Sequence, residues 1–158
     1  MSRFNRLRGK TSNFSFEELK DDDVEFCLAL IKKVIIGQVL LKGPNIYTLV
    51  GKSKGKIVGL ITGLVPQSPQ VSVNPRIFFL YPVEGKFARQ GLTVRLLNEF
   101  IKAVKNRLPN AGFIDVIVNP RNVSFVALYS LNGFVINGFV QGSSGSPDQV
   151  FLRGKLGE

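Results

Sequence analysis

Apolar residues recur through the middle of the chain at Leu92, Leu96, Leu97, Phe100, Ile101, Val104 and Leu108. That spacing is the 3.6-residue stripe of a helix with one buried face. An earlier stripe, Val24, Cys27, Leu28, Ile31 and Ile35, predicts a helix over residues 22–36. Asp21, Asp22 and Asp23 read as its start, since side-chain oxygens cap free N–H groups and acid suits the positive helix end. Elsewhere the pattern shortens to apolar or alternating runs at 14–19, 46–51, 57–65, 77–81, 113–118, 134–141 and 149–153, which predict strands. The run at 113–118 is mostly apolar and is expected to be buried on both faces. Residues 53–56 read as a hairpin turn, and Gly59 and Gly63 in the following strand mark a bulge or a close approach of other backbone. Residues 37–44 fit either a second short helix or a loop. A further helix of about ten residues starts at Asn119 or Asn122 and stops at Asn132, with Gly133 as the left-handed residue. The order β-α-β-β-β-α-β-α-β-β predicts a mixed α/β (α+β) sheet in a single domain, residues 13–158, with residues 1–12 as a basic arm.

Composition changes this picture in three ways. A chain of 158 residues can bury one substantial core. Its formal net charge of +10 points to an acidic partner, whether a polyphosphate cofactor, nucleic acid or an acidic surface, or else to lysine kept for solubility. Histidine is absent, which excludes a histidine general base, Ser-His and Cys-His nucleophile pairs, and the commonest zinc ligand. The single cysteine, Cys27, excludes an internal disulfide and fits a reducing cytosol; its place on the apolar stripe reads as a buried structural thiol. The longest apolar run, near residues 34–41, is broken by Gly37 and Gln38 and is too short for a bilayer span. No signal peptide is evident, and the expected location is cytoplasmic. No metal site is expected, because capping accounts for the three aspartates.

The chemistry concentrates between the 77–81 strand and the helix beginning near Leu92. Gly85 and Gly91 flank a short loop there, and Lys86 and Arg89 place two cations in it. A helix N-terminus offers unpaired N–H groups and a partial positive charge, so a strand–loop–helix junction of this kind holds phosphate. The reading is a phosphorylated cofactor at this junction.

Two stretches together resemble the core motifs of the GNAT superfamily of acetyl-CoA-dependent N-acetyltransferases. The first family motif is Val-x-Pro-x-x-(Arg/Gln)-x-x-Gly-x-(Gly/Ala), and here Val83 and Gly91 match at the family spacing. The second is an Asn, an Ala three residues on, then Leu-Tyr and Gly-Phe; Asn122, Leu128, Tyr129, Gly133 and Phe134 match. Gly85, Ala88, Thr93 and Phe125 depart from the pattern. The resemblance spans about residues 76–140. It implies a mostly antiparallel sheet of six to seven strands, helices on both faces, and a central pair of parallel strands that splay apart. It implies acetyl-CoA lying in that splay, its pyrophosphate on amides from Phe87 through Ala88, Arg89, Gln90, Gly91 and Leu92 to Thr93. Lys86 and Arg89 would meet phosphate charge, and the backbone of Leu80, Tyr81 and Val83 would pair with the pantetheine arm and polarise the thioester carbonyl. Asn122 is a cofactor contact or simply a helix cap. An amine would attack directly, Tyr129 would protonate the leaving thiolate, and the base would be Glu84 or water. The acceptor is an amine of a small molecule or peptide, neutral or acid-bearing because acidic walls are scarce. The competing expectation is a GNAT-fold binding protein that has lost catalysis and uses a basic face on RNA or the ribosome, favoured by the four departures and the charge. Monomer and homodimer both remain open.

Overall fold

The computed structural model describes residues 13–32, 41–67 and 73–157. The basic arm, the end of the first predicted helix and residues 68–72 of the 66–75 loop lie outside them, as do residues 37–40 of the helix-or-loop segment. Seven strands form one sheet: β1 (Phe14–Glu18), β2 (Ile46–Ser53), β3 (Lys56–Leu64), β4 (Arg76–Pro82), β5 (Phe113–Val118), β6 (Val135–Val140) and β7 (Gln149–Lys155). Their spatial order is β1-β2-β3-β4-β5-β7-β6. Four α-helices accompany them among the described residues: α1 (Val24–Lys32), α2 (Gly85–Arg89), α3 (Leu92–Arg107) and α4 (Val123–Leu131). Every pairing is antiparallel except β4 with β5. Lys54 and Gly55 both take positive φ, 52° and 78°, which builds the tight β2–β3 hairpin turn.

Side chains alternate across a strand, and here the alternation sorts neighbours into two cores. Leu49, Ile61 and Leu80 join Leu92, Leu96, Leu97, Phe100 and Val104 of α3 in one. Val50 and Leu60 join Cys27 and Ile31 of α1 in the other, with Phe79 packed against it. Helices therefore cover both faces of the sheet. Leu92 begins α3 in a notch between paired glycines: a Cβ on Gly51 would come within 2.9 Å of a Leu92 methyl, and one on Gly59 within 2.8 Å. Those glycines let the start of α3 press directly on the sheet.

Two expectations from the sequence need correction. Asp21 to Asp23 make no side-chain cap; they form a 3-10 turn behind Lys20, where their charge suits the helix start, and Asp21 pairs with Lys42 at 3.1 Å. Strand β5 is not buried on both faces. Ile114, Val116 and Val118 are buried, but Phe113 is 40% exposed and Asp115 and Ile117 are intermediate. Asp115 accepts from Arg153 at 2.8 and 3.2 Å on that second face, so the polar pair rather than a helix occupies it. Burial alone would raise the Asp115 pKa, yet the hydrogen bonds from Arg153 and Asn74 and the nearby arginine charge hold it below the ordinary value.

Cys27 is fully buried, and burial, helped by the Asp23 charge, pushes its thiol up to about 11. At neutral pH the reactive thiolate is then scarce. The native protein is expected to leave a thiol reagent such as dithionitrobenzoate unreacted over minutes and to consume one equivalent after guanidinium unfolding. Prompt reaction of the folded protein would contradict the buried, inert reading.

Candidate active site

The junction after β4 is more ordered than a plain loop. Residues 85–89 form α2, a single helical turn, because Lys86, Phe87, Ala88 and Arg89 are good or neutral helix formers and the Phe87 ring packs edge-on against Phe14 at 6.3 Å. Gly91 then takes φ 88°, a left-handed conformation that resets the chain direction before α3. This ordering allocates the backbone donors. Phe87 N–H donates to Glu84, Gln90 N–H to Lys86 and Phe87, and Gly91 N–H to Ala88. The first N–H groups of α3, those of Leu92, Thr93 and Val94, have no backbone acceptor among the described residues. Within residues 87–93 the N–H groups without a backbone acceptor therefore lie at the C-terminal end, at the start of α3, where the helix dipole is strongest.

Beside this junction the sheet opens. Parallel pairing of β4 and β5 is confined to Arg76 with Asp115 and Ile77 with Val116. From Phe78 onward the β5-facing edge of β4 has no strand partner among the described residues. A bulge lies at the same point: Phe79 is opposite Thr62 and Ile77 opposite Gly63, which leaves Phe78 as the extra residue on β4. The approach is close, for a Cβ on Gly63 would sit 2.3 Å from the Arg76 carbonyl oxygen. The bulge and the close approach that the sequence offers as alternatives at Gly63 therefore occur together, with the extra residue on the neighbouring strand.

A cavity of about 150 Å³ fills the wedge, lined by Phe78, Phe79 and Leu80 of β4, Val116 to Val118 of β5, and Asn119, Asn122, Phe125 and Tyr129 around α4. Among the described residues, Tyr129 is the one titratable side chain in that lining. It is 2% exposed, its ring meets Phe134 edge-on at 5.2 Å, and burial pushes the pKa of its phenol well above the ordinary value. No described residue hydrogen-bonds its hydroxyl. The group is therefore a protonated donor at neutral pH, placed at a cavity wall with its donor capacity free.

Other residues selected from the sequence distribute unevenly. Leu80 is buried and lines the wedge; Tyr81 is half-buried and stacks on Phe79 at 5.7 Å. Val83 donates its N–H to Val58, so its backbone donor is already engaged. Glu84 is exposed, pairs with Lys86 at 3.3 Å and stays outside the cavity lining. Arg89 is exposed and makes no ion pair with a described residue. Asn122 combines both readings, accepting from Phe125 N–H at 3.4 Å as the α4 cap while lining the wedge. Sequence reasoning missed Phe78, which nothing short of the strand register distinguishes from its neighbours. It gave Val116, Ile117 and Val118 no individual role, only a place in a strand expected to be buried and to bound one side of the cofactor cleft, and took Phe125 only as a departure from a motif. Among the described residues no three His, Cys, Asp or Glu side chains gather as a metal site. No described helix is long and apolar enough to cross a membrane.

No protein-family profile matches the sequence, and no curated protein matches it by sequence. Solved structures do match. The ribosomal-protein-S18-alanine N-acetyltransferase from Escherichia coli aligns with TM-score 0.75 at 17% identity, over 92% of this chain and 96% of that one. An acetyltransferase of the GNAT family from Streptococcus pneumoniae gives 0.72 at 21%, over 92% and 100%. NAA60 of Arabidopsis thaliana, solved in complex with acetyl-CoA, gives 0.73 at 14%, over 90% and 98%. With the seven-stranded order and the splayed β4–β5 pair, these likenesses establish the fold: the chain has the architecture of the GNAT N-acetyltransferases.

Proposed function

We propose that this chain is an acetyl-CoA-dependent N-acetyltransferase whose reaction takes place in the β4–β5 wedge. The observation that carries the proposal is the free phenol donor of Tyr129 at the wall of the opening between β4 and β5. The residues fit the co-substrate. Leu92, Thr93 and Val94 N–H groups and the Arg89 guanidinium suit a diphosphate, each charge-assisted bond contributing roughly 1.5–3 kcal/mol when shielded. The free edge of β4 suits the amide-bearing pantetheine arm. At about 150 Å³ the cavity is smaller than the roughly 300–1,000 Å³ of a whole-ligand pocket, which suits the acetyl thioester end.

The acceptor amine attacks the thioester carbonyl, the carbon–sulfur bond breaks, and the thiolate takes up a proton. Tyr129 donates toward that sulfur, a role its raised pKa supports by keeping the phenol protonated. Glu84 is committed to Lys86 outside the wedge, so a water path is the better account of amine deprotonation. Among the described residues the wedge lining contains no carboxylate, which supports a neutral or acid-bearing amine over a polycationic acceptor.

Acetyl-CoA is expected to stabilise the protein thermally. At one hundred times the dissociation constant the gain is about 2.7 kcal/mol, or a rise of roughly 5–11 °C in Tm for a chain of this size. The net charge of +10 supports one other reading, a GNAT-fold protein that binds RNA without catalysis. No acetyl-CoA shift together with RNA binding that weakens steeply with salt would replace the transferase with that alternative.

A further inference from the structure

Charge is sorted between the two faces of the sheet. On the α1 face, Asp21, Asp22 and Glu25 are exposed around the start of the helix. On the opposite face, α3 carries four cations, Arg95, Lys102, Lys105 and Arg107, against one acid. That acid, Glu99, lies toward Tyr47, where its charge acts on the phenol. Arg107 sits over the Tyr47 ring at 4.2 Å and pairs with Glu18. The outward side of α3 is left with Arg95, Asn98, Lys102, Lys105 and Asn106, all exposed. Spacings of three and four residues put Arg95, Asn98, Lys102 and Lys105 in one row, about 15 Å long. Lys102 and Lys105 make no ion pair with a described residue. A helix face that is merely solvated mixes both signs; this row holds only the positive one.

The end of the row adds to it. The Arg95 guanidinium lies over the rings of Phe14 and Phe16, at 5.7 and 4.9 Å. Phe14 stands two residues after the segment 1–12, which contains Arg3, Arg6, Arg8 and Lys10 and no acid. The most basic stretch of the chain therefore joins the fold beside this row. Like charges spaced along a rod fit a polymer of fixed negative charge better than a single anion. The aromatic residues decide its form. Arg95 covers Phe14 and Phe16, and Lys86 covers Phe87, so among the described residues this face offers no open ring on which an unpaired base could stack. The amides of Asn98 and Asn106 stand among the cations and can bond to 2′-hydroxyls, which RNA has and DNA lacks. We propose that the outward side of α3 binds the backbone of duplex RNA without reading its sequence. Neither Lys102 nor Lys105 lines the wedge, so this holds whether or not the wedge is a transferase site.

The test is fluorescence anisotropy of the full chain with a labelled RNA duplex of about 16 base pairs. The expected Kd is about 1–100 µM at about 0.15 M salt, tightening steeply as salt falls. Lys102→Gln with Lys105→Gln should weaken binding at least about tenfold at low salt and lower the slope of log K against log salt by about two. Both side chains are exposed and glutamine is a good helix former, so the unfolding transition should be retained. Lys42→Gln with Lys155→Gln removes the same charge away from α3, and should lower the slope by less than half as much. Single-stranded RNA and duplex DNA of the same sequence should both bind more weakly. A Kd above about 1 mM at 0.15 M salt, an equal loss in the two variant pairs, or duplex DNA or single-stranded RNA bound as tightly as the RNA duplex would overturn the proposal.

Discussion

Tyr129→Phe is expected to lower the turnover number by roughly 10²–10⁴-fold, the usual contribution of a positioned proton donor. The KM for acetyl-CoA should stay within about threefold, because the ring remains and only the proton is removed. The structure makes this a clean substitution. The phenol makes no hydrogen bond with any described residue, so deleting its oxygen leaves no orphaned partner and should barely change stability. Its ring contact with Phe134 survives in the variant. The pH profile supplies a second readout. Burial raises the phenol pKa, so the wild-type turnover number should not fall as pH climbs through the ordinary phenol range near 10. Steady-state CoA release against a panel of amines measures both. Turnover unchanged in the phenylalanine variant, or a loss confined to KM, would remove the proton-donor role from Tyr129.

Gly63→Val is expected to destabilise the protein by about 3 kcal/mol, a fall of roughly 6–12 °C in Tm. The added Cβ would meet the Arg76 carbonyl oxygen at 2.3 Å and the Phe100 ring at 3.0 Å, and backbone cannot swing aside as a flexible side chain can. Relief requires β4 to move away from β3. That movement occurs at Arg76 and Ile77, the same two residues that hold β4 to β5. Acetyl-CoA affinity should therefore fall along with stability, since the base of the wedge shifts. Gly59→Ala gives a milder comparison: its nearest neighbour is the movable end of Leu92, although the Tyr81 carbonyl oxygen lies at 2.9 Å. Calorimetry of the two variants decides the matter. A Gly63→Val protein melting within about 2 °C of wild type would show that β4 is not pinned at this bulge.

Much of this architecture was legible without coordinates, for a physical reason. Helix and strand carry different apolar periods, and both were strong here. The Leu92–Val104 stripe became the buried face of α3, and the short runs became β1 to β7. Cys27 on its apolar stripe proved buried. The Asn122 cap and the Gly133 stop bounded α4 where expected, because capping and positive φ are local requirements that only a few residue types meet. Local rules failed where partners came from elsewhere in the chain. Asp115 looked like part of a buried strand until Arg153, two strands later in sequence, paired with it. Residues 85–89 looked like a loop until Phe14, at the far end of the chain, gave Phe87 a surface to pack on.

Apart from α2, the order of elements, their types and the positions of Tyr129, Gly91 and the α3 N-terminus followed from the chain itself, because each depends on neighbours a few residues away. Which donors stayed free, which residue bulged from β4, and how far β4 parted from β5 were decided only in three dimensions. Those outcomes depend on register and close packing between segments remote in sequence. The contact of Gly63 with Arg76 is one such case, and the seating of Leu92 between Gly51 and Gly59 is another.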